Sequence, residues 1–295
     1  MKITRRIALA NVLVALVVLA IKTVAYVMTD SIALLSDALE SIVNVAASIA
    51  ALIAIALAAK PADRNHPFGH HKAEYLSAVV EGALILVAAI VIFREAWIGI
   101  VASKPLDAPF EGVAVNAFAA LINGAWCVVL LRVGRRHRSP ALVADGRHLL
   151  TDVVSSLGVL VGVSLAIVTG WPILDPLLAL IVALNILWSG WQLIKGSVAG
   201  LMDAAPPDAE VDQIRGIIAA NADGAIEAHD LRTRTAGPAT FIEFHLVVPG
   251  TMSVDNAHEI CDRIEAALRT EVEQPVITIH VEPENKAKHE GIVVL

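Results

Sequence analysis

The sequence predicts a two-part chain: an all-α membrane domain of six transmembrane helices, then a small soluble α+β domain of αββαβ order, ferredoxin-like in outline. Three observations predict it. Six mostly apolar runs lie between residues 7 and 198, each long enough to supply the ~20 residues a spanning helix needs. The apolar pattern stops at Ala204-Ala205-Pro206-Pro207, a helix stop and linker. Beyond it, helical and alternating periodicities follow one another to the end of the chain.

The first domain covers 1–205, with spans at 7–28, 32–59, 75–101, 112–133, 141–168 and 172–198. Lys2, Arg5 and Arg6 before the first run resemble a secretory signal. The run is too long for one, Lys22 interrupts it, and no small-residue cleavage site follows, so it is read as a spanning helix. Basic residues mark one side: the N-terminus, the second connection (Lys60, Arg64, Lys72) and the fourth (Arg132, Arg135, Arg136, Arg138). On the other side, 29–31 and 169–171 have no basic residue and 103–109 has only Lys104. The positive-inside rule then places both termini in the cytoplasm.

The second domain covers 206–284. Val211, Ile214, Ile217 and Ile218 give 208–221 helical spacing, with Asp208 as N-cap. Residues 226–235 and 240–248 alternate as strands about a Gly237-Pro238 turn. Ala257, Ile260, Ile264 and Leu268 mark a helix over 253–269, capped by Ser253, and 276–281 reads as a short strand. This order suits one sheet with two helices on one face. Residues 285–295 read as a flexible tail.

With 57% hydrophobic and 17% charged residues and a mean hydropathy of +0.70, the chain is not an ordinary soluble protein. Residues 206–295 hold 7 Lys+Arg against 16 Asp+Glu, a net −9, which leaves +2 for residues 1–205 within the total of −7. An acidic soluble domain repels nucleic acid and anionic lipid headgroups while tolerating cations, so no nucleic-acid partner is expected. The two cysteines, Cys127 and Cys261, offer neither a disulfide framework nor a thiolate zinc cluster.

The chemistry-bearing segment is 144–152, Ala-Asp-Gly-Arg-His-Leu-Leu-Thr-Asp, inside the fifth span. His148 and Asp152, four residues apart, share one helix face. The second span repeats the frame at 36–44: Asp37 aligns with Asp145, Glu40 with His148, and Asn44 with Asp152. Asn, Ser or Thr would suffice to tie helices together. A Glu, an Asp and a His at bilayer depth instead mark an ion or proton path, so four groups are expected to converge on a single ion.

The second connection offers a further set, Asp63, His66 and His70, with imidazole and carboxylate donors for a divalent metal. The alternative is a solvated loop whose histidines do nothing. In the soluble domain His229, His245, His258 and His280 fall on different elements, and Glu282 shares a strand face with His280. Four histidines on adjacent elements of a small acidic domain favour a metal cluster over scattered surface histidines.

The chain resembles the cation diffusion facilitator family, particularly its bacterial zinc- and iron-exporting members. The resemblance covers nearly all of it, through 31–38 (Ser-Ile-Ala-Leu-Leu-Ser-Asp-Ala), 66–74 (His-Pro-Phe-Gly-His-His-Lys-Ala-Glu), 144–152, Leu201-Met202-Asp203 and 229–238 (His-Asp-Leu-Arg-Thr-Arg-Thr-Ala-Gly-Pro). It implies a homodimer in the bacterial inner membrane, exchanging a cytoplasmic divalent cation for external protons. Zn²⁺ is the first expectation for that cation, and Fe²⁺, Mn²⁺, Co²⁺, Ni²⁺ and Cd²⁺ are the others. Carried over, the transport site is Glu40, Asn44, His148 and Asp152, with Asp37 and Asp145 as possible accessories. The loop site is Asp63, His66 and His70. The cytoplasmic site is His229, His245, His258, His280 and Glu282, cross-bracing two soluble domains, and Lys72 and Asp203 match an interprotomer charge pair. Two residues depart from the family pattern: Glu40 stands at a position of Asp or His, and Asn44 at a position of Asp. The resulting shell is richer in oxygen and shifts preference toward Mn²⁺, Fe²⁺ or Co²⁺. The competing functions are a membrane-embedded metalloenzyme, disfavoured because no His-Glu-x-x-His is present, and a metal sensor, which would leave the membrane quartet without a role.

Overall fold

The computed structural model describes residues 2–29, 32–102, 110–171, 173–289 and 291–293. Its first six helices are α1 (Lys2–Thr29), α2 (Ile32–Ala58), α3 (Ala73–Ala102), α4 (Phe110–Arg136), α5 (Pro140–Thr169) and α6 (Leu174–Leu201). Among the described residues, five stretches are long and apolar enough to cross a membrane: Ile3–Val24, Ser41–Ala58, Ala73–Val101, Ala117–Arg136 and Pro176–Leu201. Two of these helices carry basic residues at one end: α1 takes in Arg5 and Arg6 near its start, and α4 closes on Arg135 and Arg136. Long basic side chains can extend from such ends toward the headgroups.

The chain divides into two compact units, Met1–Val198 and Ala199–Leu295. In the first, α5 packs against α4, α3 and α2, while α1 packs against α2 and α4. Small residues let the helices approach closely. Ala8, Ala51 and Ala141 line one core with Ile55, Leu130 and Leu142, and Ala78, Ala89 and Ala144 line another with Ile85 and Ile186. A Cβ added at Gly146 of α5 would come within 3.0 Å of Leu131 on α4. Leu13, Val17, Ile53, Val80, Ile90, Leu121 and Trp188 face outward, whereas Asn11, Ser48, Glu81, Asp145 and His148 are buried. Apolar outside and polar within is the arrangement a lipid environment selects.

The second unit contains α7 (Asp208–Asn221), β1 (Glu227–Ala236), β2 (Ala239–Val248), α8 (Val254–Glu271), β3 (Pro275–Pro283) and β4 (Ile292–Val293), with sheet order β3-β2-β1-β4. β1 and β2 are antiparallel, and β2 and β3 are parallel. Gly237, at a φ of 57°, begins the two-residue loop closed by the Ala236–Ala239 pair. Ile214 and Ile218 of α7, Ile260 and Ile264 of α8, and Ile242, Phe244 and Leu246 of β2 form the core. Ser253 caps α8 by accepting the Asn256 N–H. The cap predicted for α7 is corrected: Pro207 holds the N-cap position and Asp208 is the first helical residue, so its charge acts on the helix end without a side-chain cap. The stretch read as a loose tail folds back in part, with Ile292 and Val293 pairing with Ala228 and Glu227. The anchor is the buried Glu227 carboxylate, which accepts the N–H groups of Lys288 and His289 at 2.7 and 3.0 Å.

Candidate metal centres

In the membrane unit, α5 presents His148 and Asp152 one turn apart, with His148 Nε2 3.9 Å from Asp152 Oδ1. Asn44 of α2 donates from Nδ2 to Asp152 Oδ2 at 2.8 Å, and its buried Oδ1 has no hydrogen-bond partner among the described residues. Three of the four expected groups thus meet in one place. The side chains of Glu40 and Asp37 lie outside the described residues. Asp145, one turn before His148, joins a different set: Asn11 of α1 donates to Asp145 and also to Ser48, and Trp126 of α4 donates to Asn11. These bonds tie α1, α2, α4 and α5 together. A residue the sequence reading passed over completes the picture. Glu81 of α3, 2% exposed, lies with Oε1 3.0 Å from His148 Nδ1. The signal was available, since a carboxylate inside an apolar span is a functional marker by default.

The connection between α2 and α3 brings Asp63, His66 and His70 together with donor atoms within 4.8 Å of one another. Asp63 Oδ1 accepts the N–H groups of Asn65 and His66, which shapes the turn. Asp63 Oδ2 is 3.4 Å from His70 Nε2, and the His66 and His70 rings stand 4.3 Å apart. The His66 N–H bond, ahead of that from Asn65, holds the exposed Asp63 carboxyl below its ordinary range. Burial, aided by neighbouring His70, pushes the His71 imidazole down.

In the soluble unit His229, His245 and His280 form one row across β1, β2 and β3, because register pairs His229 with His245 and His245 with His280. Their neighbours Ala228, Phe244 and Ile279 point into the helix-covered core, so alternation puts the row on the opposite face. Ring centroids are 5.3 Å apart for His229 and His245, and 4.9 Å for His245 and His280. Glu282 lies among them, 3.3 Å from His229 Nε2, 3.4 Å from His245 Nδ1 and 3.7 Å from His280 Nε2. A register shift between His229 and Arg232, with Asp230 at a φ of 53°, brings Asp230 Oδ2 within 3.9 Å of His245 Nδ1. Glu227 Oε1 lies 2.8 Å from His229 Nδ1, while the buried Nε2 has no hydrogen-bond partner among the described residues. A carboxylate behind one ring nitrogen fixes the tautomer and leaves the other nitrogen for a metal. Glu227 and Asp230 are therefore additions to the predicted set.

His258 does not join that row. It lies exposed on α8, with Nε2 3.6 Å from Asp262 one turn on. Asp203, just beyond α6, receives a bond from Arg234 Nη1 at 2.8 Å within its own chain. Lys72 immediately precedes α3.

The chain is similar to known proteins over nearly its whole length. A cation efflux transmembrane domain matches residues 8–202, and a cation efflux protein cytoplasmic domain matches residues 206–284. A transporter of Synechocystis sp. is 43% identical over 282 residues, covering 96% of this chain and 91% of that protein. The cation-efflux pump FieF of Cronobacter sakazakii is 35% identical over 283 residues, covering 96% and 93%. A solved zinc-form structure of CzrB is 47% identical and covers 28% of this chain and 96% of that one, at a TM-score of 0.28. Matched domains over nearly the whole length, with relatives above 30% identity, settle the class: the chain is a multi-pass membrane transporter for divalent metal efflux, and it belongs to the cation diffusion facilitator family.

Proposed function

We propose that the chain exports Zn²⁺ from the bacterial cytoplasm in exchange for external protons, as a homodimer in the inner membrane with both termini cytoplasmic. Fe²⁺, Mn²⁺, Co²⁺, Ni²⁺ and Cd²⁺ are the other candidate substrates. The observation that carries this reading is the grouping of His148, Asp152 and Asn44, with Asn44 bonded to Asp152 at 2.8 Å and its own carbonyl oxygen unpaired among the described residues. Glu40, one helical turn before Asn44, is the fourth proposed member.

The mechanism follows from the donor chemistry. From the cytoplasm, a metal meets an unprotonated imidazole and carboxylates and binds, because metal ligands must be deprotonated. The helices then shift to open the site outward. Protons arriving at His148 and a carboxylate compete with the metal and release it, and the protonated site returns. Imidazole suits this exchange because its ordinary pKa lies near neutrality. Asp63, His66 and His70 form a second proposed site at the cytoplasmic loop.

In the cytoplasmic domain, His229, His245, His280 and Glu282 would hold metal, with Glu227 orienting His229. His258, set apart on α8, is read as a ligand offered across the dimer. Metal shared between two acidic domains offsets their repulsion and favours the paired state. Lys72 and Asp203 are read as an interprotomer pair that holds the membrane halves together.

The test uses sealed vesicles carrying the reconstituted protein and a panel of Zn²⁺, Fe²⁺, Mn²⁺, Co²⁺, Ni²⁺ and Cd²⁺. The expected result is uphill uptake, fastest for Zn²⁺, with protons moving the opposite way. Metal uptake that neither needs nor produces a pH gradient would overturn the exchange.

A further inference from the structure

We propose that Glu81 is a positioning residue of the transport site: its carboxylate holds His148 through Nδ1, so that Nε2 is the nitrogen offered to the metal. The inference rests on the transport site proposed above and adds a third helix to it.

Glu81 is 2% exposed and lies inside the Ala73–Val101 span. A carboxylate there is costly unless something requires it. Its depth matches that of His148. α3 begins at Ala73 and α5 at Pro140, both following connections rich in basic residues, and each residue stands eight positions along its helix. At 1.5 Å of rise per residue both are about 12 Å from their helix starts. The next residue, Gly82, abuts α6, where an added Cβ would come within 2.6 Å of Ile194 Cγ1.

The two ring nitrogens of His148 are divided between two carboxylates. Nδ1 faces Glu81 Oε1 at 3.0 Å, a close contact without hydrogen-bond alignment, and Nε2 faces Asp152 Oδ1 at 3.9 Å. Asp152 Oδ2 is in turn held by Asn44. On the Nε2 side stands the Asp152 carboxylate, the one to which Asn44 is bonded. An imidazole binds metal through one nitrogen, and a carboxylate behind the other fixes tautomer and ring orientation and raises ligand basicity. Glu227 lies behind the same ring nitrogen of His229 in the cytoplasmic domain, there as a hydrogen bond, Oε1 to Nδ1 at 2.8 Å, with Nε2 facing Glu282. Both metal-binding histidines at the buried sites are thus backed by a glutamate.

The test compares Glu81→Gln and Glu81→Ala with the unaltered full-length protein in proteoliposomes. Zn²⁺ uptake gives KM and Vmax. Co²⁺ absorption in detergent, as the difference from His148→Ala, reports the ligands at the membrane site. Loss of a carboxylate behind a ligating histidine weakens metal binding by roughly 10–100-fold. The expected result is a KM rise of that order in Glu81→Ala with little change in Vmax, and unshifted Co²⁺ bands that saturate at higher metal. Glu81→Gln, which keeps an acceptor oxygen, recovers part of the loss. It also carries the test if Glu81→Ala fails to fold. An unchanged KM in Glu81→Gln and in every folded variant would overturn the inference. So would Co²⁺ bands that shift in Glu81→Gln, since Glu81 would then be a ligand itself. His148→Ala separates the two levels: if it transports normally, the transport site is wrong; if it is inactive while the Glu81 variants keep their KM, only the role of Glu81 falls.

Discussion

Asn44 on α2 donates its amide to Asp152 on α5 at 2.8 Å, joining the two helices that carry the repeated polar frame. Replacing the amide with a carboxylate sets two like charges against each other and removes a hydrogen bond to a charged group, worth about 1.5–3 kcal/mol. Asn44→Asp should therefore lower the melting temperature in metal-free detergent. A metal that neutralises both carboxylates then stabilises the variant more than the unaltered protein, since ligand binding to the folded state adds stability. Thermal unfolding with and without Zn²⁺ checks both signs. A variant that melts at the unaltered temperature without metal contradicts the pairing.

Glu227 ties the C-terminal segment to the cytoplasmic sheet. Burial alone would raise its carboxyl, but the Lys288 N–H, the His229 imidazole and the His289 N–H outweigh this and hold it below its ordinary value of 4.5. A carboxyl depressed on folding contributes stability that is complete above its unfolded pKa and disappears as pH falls through the folded one. The cytoplasmic domain should thus lose part of its stability below about pH 4.5, and Glu227→Gln should flatten that acid limb. Limited proteolysis of the full-length protein across this range, probed at β1 and β4, reads the effect. Equal acid sensitivity in both proteins counts against the anchor.

At the loop, Asp63 both shapes the turn and faces two histidines. Asp63→Asn keeps an oxygen for the Asn65 and His66 N–H groups but loses the charge, and His66→Ala removes a donor. Both variants should bind less metal per protomer by equilibrium dialysis while retaining fold and transport activity at saturating metal. Unaltered stoichiometry in both leaves the loop without a metal.

The spans were legible because length and apolarity suffice to specify them, and the basic connections show where they end. His229, His245 and His280 were legible as a group because they fall on adjacent elements of a small acidic domain, and strand alternation joined Glu282 to His280. What strand periodicity does not carry is a bulge, so Asp230 went unseen until the register shift after His229 brought it beside His245. His258 shows the reverse: residue type grouped it with the others, but α8 carries it away from the row. Glu81 lies outside the repeated frame of α2 and α5, and its role depends on how α3 packs, which spacing along one helix does not encode. The two-residue β4 is too short for any periodicity, and its pairing rests on the buried Glu227 at a distance of about sixty residues along the chain.

The transport site is tested most directly by Zn²⁺-driven proton flux in proteoliposomes containing His148→Ala or Asp152→Ala. With the metal held by these two residues, each variant should show no flux above protein-free vesicles, although both still bind metal at the cytoplasmic domain. Flux at the unaltered rate in both would contradict the assignment.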